Sequence, residues 1–247
     1  MWGNSDRPRA PGALDFASAW RTWLESAGDP RLDPSVDLAY WKQVADAHEN
    51  PSGKCARTLA KVRSMVRPED SVLDVGAGAG RFALPLSAAC AHMTAVDQSP
   101  DMLAVLEQKA RAAGLTNISL RCSAWEELTV DRHDVVLSAW SLYRQLDLTC
   151  ALQRMLDATR RLLVIVAPDA DASQRERGET AAYLYVLGVL RELGARAELT
   201  FVDEPQPGGA EVPVPVITWT RAVRTTDALG TSAHKCFRGP TIDEVSL

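Results

Sequence analysis

Asp74 stands two residues ahead of three alternating glycines, Gly76, Gly78 and Gly80, in the stretch SVLDVGAGAGRFALPLS, and Asp97 closes the next β-rich run. Glycines in a turn between strand and helix let the main chain approach a ligand closely and aim backbone amides at it. A carboxylate at the end of the neighbouring strand is placed to accept both hydroxyls of a ribose, so the set suits a nucleoside. The dinucleotide fingerprint G-x-G-x-x-G would require glycine at position 81. Arg81 stands there instead, which argues against a nicotinamide-dependent oxidoreductase.

Such residues need a frame that brings strand ends together. From Ser71 onward, short β-rich runs alternate with helical patterns: SVLDV, HMTAV, NISLRC, DVVLS and RLLVIV, separated by RFALPLSAAC, PDMLAVLEQKARAA and LTCALQRMLDAT. A long helix through Leu193 follows. RAELTFV and VITWTRAV then read as two last strands across a Pro/Gly-rich loop, DEPQPGGAEVPVP. This order predicts an α/β fold, a Rossmann-like, doubly wound, seven-stranded and mostly parallel sheet. In such sheets ligands lie outside the carboxyl ends of the strands, near the switch in strand order. The joints agree: Ser99 and Pro100 form an N-cap and N1 pair, and Gly114 and Gly194 stand where helices stop.

Ahead of the sheet, Phe16, Trp20, Trp23 and Leu24 recur at the spacing of one helix face. Ser35 is placed to cap a second helix on which Trp41, Val44, Ala45 and His48 share a face, and a third ends before Pro68. The division expected is an N-terminal helical lid over 1–53, a ligand-binding domain over 54–223 and an irregular tail over 224–247.

The composition is that of an ordinary globular protein, 46% hydrophobic and 24% charged, with a net charge of −5 that advertises no basic face for nucleic acid. Five cysteines without a C-x-x-C pair read as free thiols of a reducing compartment. The first residues carry an acid and two prolines where a signal peptide needs an apolar run, and AAYLYVLGVL is about half of a membrane span. The expectation is a cytoplasmic protein with no membrane partner and no metal site.

The pattern D-x-G-x-G-x-G from Asp74, joined to AVDQSPDML with its acidic strand end and Ser-capped helix, resembles the signatures of the class I S-adenosylmethionine-dependent methyltransferases. The resemblance covers Ser71 to about Val166. It implies that Gly76, Ala77, Gly78 and Gly80 face the methionyl part and ribose of S-adenosylmethionine, with S-adenosylhomocysteine as product. It implies that Asp74 orients the loop or the ligand's ammonium, that Asp97 holds the ribose hydroxyls, and that Gln98 and Met102 lie beside the adenine. Ser123 occupies the place where many relatives carry an aspartate toward the adenine amino group. Trp125 then offers an aromatic wall, and the backbone at Ala124 and Trp125 reaches the base edge. Ser138 is expected under the sulfonium.

On the acceptor side the resemblance implies Trp140, Tyr143 and Arg144 after the fourth strand, with Tyr40 and Trp41 on the leading helices. Tyr143 and His48 are the catalytic candidates, with ordinary packing as the alternative reading of each. His92 and His133 are expected to face solvent. The D/N-P-P-Y motif of methyltransferases acting on bases or glutamine is missing, and SAWS occupies its place. Trp20, Trp23, Trp41, Trp125 and Trp140 either surround one cavity suited to an apolar or aromatic acceptor or fill the seam between helices and sheet. The expected function is methyl transfer to a small molecule. A protein that binds the cofactor without turning it over is the alternative.

Overall fold

The computed structural model describes residues 14–26, 28–46, 55–167, 181–206 and 208–222, so the expectations placed on His48 and on the tail 224–247 lie outside the described residues. Seven strands form one sheet: β1 (Ser71–Val75), β2 (His92–Asp97), β3 (Ile118–Cys122), β4 (His133–Ala139), β5 (Thr159–Val166), β6 (Glu198–Pro205) and β7 (Glu211–Thr220). Their spatial order is β3-β2-β1-β4-β5-β7-β6. All neighbours pair in parallel except β7, which runs antiparallel to both β5 and β6. The direction of strand order reverses between β1 and β4, which places the ends of both strands at the binding crevice typical of this architecture.

The central strands are covered on both faces, and their near-continuous aliphatic runs follow from that. Val72, Leu73, Val136, Leu137 and Val164 are all sealed from solvent. Each such side chain contributes about 1.5–3 kcal/mol on burial. One face is packed by α3 (Ala56–Arg63), α4 (Ala83–Ser87) and α5 (Pro100–Ala112). The other is packed by α1 (Phe16–Ser26), α6 (Leu148–Ala158) and α7 (Ala182–Glu192). Ser99 caps α5 by accepting the Met102 amide, with Pro100 at the first helical position, and Gly114 and Gly194 follow their helices with φ of 66° and 80°.

The leading helices do not form one unit over the sheet. The apolar stripe of α1 is buried against α7, where Trp20, Trp23 and Tyr185 stack with ring centroids 5.3 and 6.1 Å apart. Gly188 permits this approach, since a Cβ there would fall 2.1 Å from the Phe16 ring. Trp20 and Trp23 are therefore seam residues of the far face, and of the five tryptophans Trp41, Trp125 and Trp140 line the cavity described below. α2 (Pro34–Asp46) lies apart from α1, against α5. Its cap is Asp33 rather than Ser35: Asp33 Oδ1 accepts the Ser35 amide at 2.8 Å and the Ser35 hydroxyl at 2.7 Å.

The two last strands run further than their composition suggests. The expected loop shrinks to a hairpin closed by Gln206 N–H on Ala210 O at 2.8 Å. Pro213 and Pro215 fit inside β7 because β5 pairs only with 216–220, leaving the proline segment bordered by β6 alone. β6 also holds α3: the buried Glu204 carboxylate accepts the Arg57 amide at 3.3 Å and the Thr58 amide, two N-terminal donors that the helix leaves without partners. His133 is buried rather than solvent-facing. Its Nδ1 lies 2.8 Å from Asp131 O and its Nε2 3.0 Å from Thr94 Oγ1. Burial holds its imidazole below the ordinary histidine range. His92 is exposed, as expected.

Candidate binding site at the carboxyl ends of β1, β2 and β4

The turn after β1 is fixed by β2. Gly76 and Ala77 amides both donate to Val96 O, at 2.8 and 2.9 Å. The Asp97 carboxylate accepts Gly78 N–H on one oxygen at 2.8 Å and Ser99 N–H on the other at 2.9 Å. Gly76 and Gly78 have φ of 76° and 55°, in the left-handed region that favours glycine. They are glycine for different reasons. A Cβ on Gly76 would come 2.2 Å from Ser141 Cβ, whereas one on Gly78 would meet only Met102 Cε, at 3.2 Å. The first is closed by the opposing turn; the second is crowded only by the end of a flexible Met102 side chain.

Below the turn, Asp74 is 2% exposed, and among the described residues its Oδ2 has no hydrogen-bond partner. Burial, then the neighbouring Asp97 charge, push its carboxyl up to about 7, while the Ala83 amide draws it down. A buried carboxylate with one oxygen unmet is a costly arrangement that a cation relieves. Ser138 is fully buried, set back from the wall, with its hydroxyl 2.7 Å from that of Ser141. Ser141 takes the place on the wall and donates to Val75 O at 2.7 Å, stitching the turns after β1 and β4 together.

These turns open on a cavity of about 510 Å³. Asp74, the loop from Gly76 to Gly80, Asp97 and Gln98 line its polar floor. A slot beside them is walled by Met102, Val105, Ser123, Ala124 and Trp125. Trp125, in the turn after β3, is buried and held by its indole N–H on Ala151 O at 3.2 Å, so it is a fixed wall rather than a surface side chain. Aromatic side chains complete the lining in two pairs, Trp41 with Tyr143 next to Gln98 and Phe82 with Trp140 beyond the glycine turn. Trp140 has φ of 51°, a conformation that costs a bulky residue about 1–3 kcal/mol and that clusters at ligand sites. Its ring stands 5.8 Å from Phe82, with the Arg81 guanidinium 5.4 Å over it.

Of the other expected acceptor-side residues, Tyr40 lies off the cavity, 41% exposed and packed edge-on against Trp41. The Arg144 backbone lies in the short turn Leu142–Arg144, and its side chain is outside the described residues. Among the described residues no group of histidine, cysteine or carboxylate side chains is arranged to hold a metal. No helix among them is long and apolar enough to cross a membrane.

One residue escaped the sequence reading altogether. Asp37 of α2 is fully buried and joins three side chains of the cavity wall. Its Oδ2 accepts Gln98 Nε2 at 2.8 Å, and its Oδ1 accepts the Tyr143 hydroxyl at 2.9 Å and Trp41 Nε1 at 3.1 Å. Trp41 Nε1 also lies 2.6 Å from the Tyr143 oxygen. The available signal was Asp37 and Trp41 at i and i+4, a spacing that an exposed helix face shares.

Residues 72–163 match the family model described as a methyltransferase domain. A protein of Haemophilus influenzae without an assigned function is 26% identical over 203 residues, which cover 77% of this chain and 74% of that one. A 23S rRNA (uracil(1939)-C(5))-methyltransferase of Klebsiella pneumoniae is 36% identical over 76 residues, a match that spans only 16% of its length. Among solved structures, an S-adenosylmethionine-dependent methyltransferase of Aquifex aeolicus superposes with a TM-score of 0.55 at 17% identity, over 72% of this chain and 97% of that one. The magnesium protoporphyrin IX methyltransferase of Synechocystis PCC 6803, crystallised with S-adenosylhomocysteine, gives 0.54 at 15% identity, over 85% of this chain and 90% of that one. At these identities the superpositions speak to the fold.

Proposed function

We propose, from the premise that residues 72–163 form a methyltransferase domain of the class I S-adenosylmethionine-dependent type, that this chain transfers the methyl group to a small molecule with an apolar or aromatic body. The observation that carries the cofactor half is the pair of acids about the glycine turn. Asp74 keeps a buried oxygen for the ligand's ammonium, and Asp97 braces the turn beside the ribose position. The slot between Met102 and Trp125 suits a purine ring, and Gln98 stands at its edge. The cofactor, when bound, supplies a methyl on a cationic sulfur. The chain's task is to hold an acceptor in line with it and to exclude water.

The aromatic part of the lining supports the small-molecule reading. Trp41, Phe82, Trp140 and Tyr143 meet at a cavity of drug-like size rather than at an open basic face of the kind a nucleic acid needs. Tyr143 lines the cavity with its hydroxyl fixed on Asp37, and this supports reading it as an acceptor-positioning group. In this reading α2 is the cover of the site.

Calorimetry with S-adenosylmethionine and S-adenosylhomocysteine is the direct test, and binding of both is expected. Asp97→Asn keeps the shape of the side chain but halves its acceptors, and it is expected to weaken S-adenosylhomocysteine binding by about 1–3 kcal/mol, the loss of a charge-assisted hydrogen bond. No heat at millimolar ligand, or an unchanged affinity in the variant, would end this reading.

A further inference from the structure

Arg81 is the charged residue that the cofactor reading leaves without a task. It follows the glycine turn directly, lines the cavity, and lies over the Trp140 ring with its guanidinium carbon 5.4 Å from the centroid. On its other side it reaches the buried Cys55 thiol, which burial pushes up and Arg81 pulls down. Among the described residues no carboxylate lies within ion-pair distance of it. The other charged side chains on the cavity wall stand elsewhere: Asp74 and Asp97 on the floor, Lys109 on α5 one turn beyond Val105, and Glu126 beside Trp125. Arg81 is thus the cation beside the Phe82–Trp140 pair.

We propose that Arg81, held against Trp140, anchors a carboxylate carried by an otherwise apolar or aromatic methyl acceptor. The proposal rests on the methyltransferase reading and names the substrate class for that same site. A guanidinium presents a planar fork of donors that matches a carboxylate in two parallel hydrogen bonds, and stacking on an indole fixes the plane of that fork. Cation–π contact restrains the group without neutralising it. A single guanidinium in aromatic surroundings fits a monoanion. A dianionic phosphate calls for further cations, and the other cation among the lining residues, Lys109, stands on α5.

A carboxylate at this point has two possible owners, the acceptor or the amino-acid end of the cofactor itself. The observations favour the acceptor. Asp74, the group assigned to the cofactor's ammonium, is perturbed by burial and by Asp97, and Arg81 is not among the charges acting on it. Arg81 acts instead on Cys55, which leads into α3. Its guanidinium stands over the Trp140 ring, which packs on Phe82.

The test uses the full chain saturated with S-adenosylhomocysteine and two probes of one shape, 2-naphthoate and 2-naphthalenemethanol, measured by calorimetry. Naphthoate is expected to bind at least tenfold more tightly than the neutral alcohol. Arg81→Gln is expected to erase that preference, and Arg81→Lys to keep part of it, with thermal melts confirming that both variants fold. Equal affinity for the two probes, or a preference that survives Arg81→Gln, overturns the proposal. So does a tenfold loss of S-adenosylhomocysteine affinity in Arg81→Gln with 5′-methylthioadenosine unaffected, since the carboxylate served would then be the cofactor's. Wild-type protein that fails to bind S-adenosylhomocysteine overturns the methyltransferase reading itself, and that result is read before either probe is added.

Discussion

Asp74→Asn is expected to make the protein more stable and the site nearly useless. In the wild type the folded-state value of about 7 stands about three units above the ordinary 3.8, because burial and Asp97 oppose ionisation. The folded state therefore holds more protons than the unfolded state between those values, and stability falls as pH rises from about 4 to about 7. At 1.36 kcal/mol per unit, the ionised carboxyl costs about 4 kcal/mol at pH 8. Asparagine removes that cost, so denaturant melts at pH 8 are expected to gain about 2–4 kcal/mol and melts at pH 4 to gain little. Binding moves the opposite way. An ammonium beside Oδ2 favours the ionised form, so affinity for S-adenosylhomocysteine is expected to rise with pH up to about 7 and then level, with a proton released on binding below that point. The variant loses about a hundredfold at pH 8 and converges with the wild type near pH 5. Calorimetry in two buffers of different ionisation heat reads the proton directly. A wild-type affinity that is flat from pH 5 to 8 would remove Asp74 from the ligand.

Asp37→Ala is expected to carry the other large effect. The substitution strips a fully buried carboxylate from three donors, Gln98 Nε2, Trp41 Nε1 and the Tyr143 hydroxyl. Its loss leaves those three neutral donors without their acceptor, at about 1–3 kcal/mol for each that stays buried. Part of that cost is expected to appear as early release of α2, since Lys42–Asp101 at 3.1 Å is a solvent-exposed pair and such pairs contribute little. Urea titration followed by fluorescence and by circular dichroism checks this: the two transitions coincide in the wild type and separate in the variant. Asp37→Asn is the gentler form. Its amide oxygen still accepts from Tyr143, and the Gln98 amide can turn over to accept from its nitrogen, so about 1–2 kcal/mol is expected. Coincident transitions and full stability in Asp37→Ala would show that α2 is held by other means.

The sheet and the cofactor side were readable because each rested on a local rule. Strand–helix alternation dictates a parallel sheet, alternating glycines dictate a turn that no other residue adopts easily, and Ser99 with Pro100 is a helix start whatever surrounds it. What stayed hidden depends on partners distant in the chain. The stripe of Phe16, Trp20, Trp23 and Leu24 says that one face of α1 is buried without saying against what, and Gly188 decides it. Prolines at 213 and 215 argue against a strand until the missing neighbour is seen. Ser138 and Ser141 are equivalent as hydroxyls, and only the bend after β4 puts one on the wall and the other behind it. Asp37 is the extreme case: an acid on a helix reads as solvated, and its role exists only where three elements meet.

The contact between Gly76 and Ser141 ties the evolutionary freedom of two loops together. No side chain fits at 76 while a Cβ stands at 141, with 2.2 Å between the two positions, so neither turn can be exchanged with a relative's on its own. Attempts to retool this protein by grafting the segment after β4 must therefore carry the segment after β1 along with it, as a matched pair.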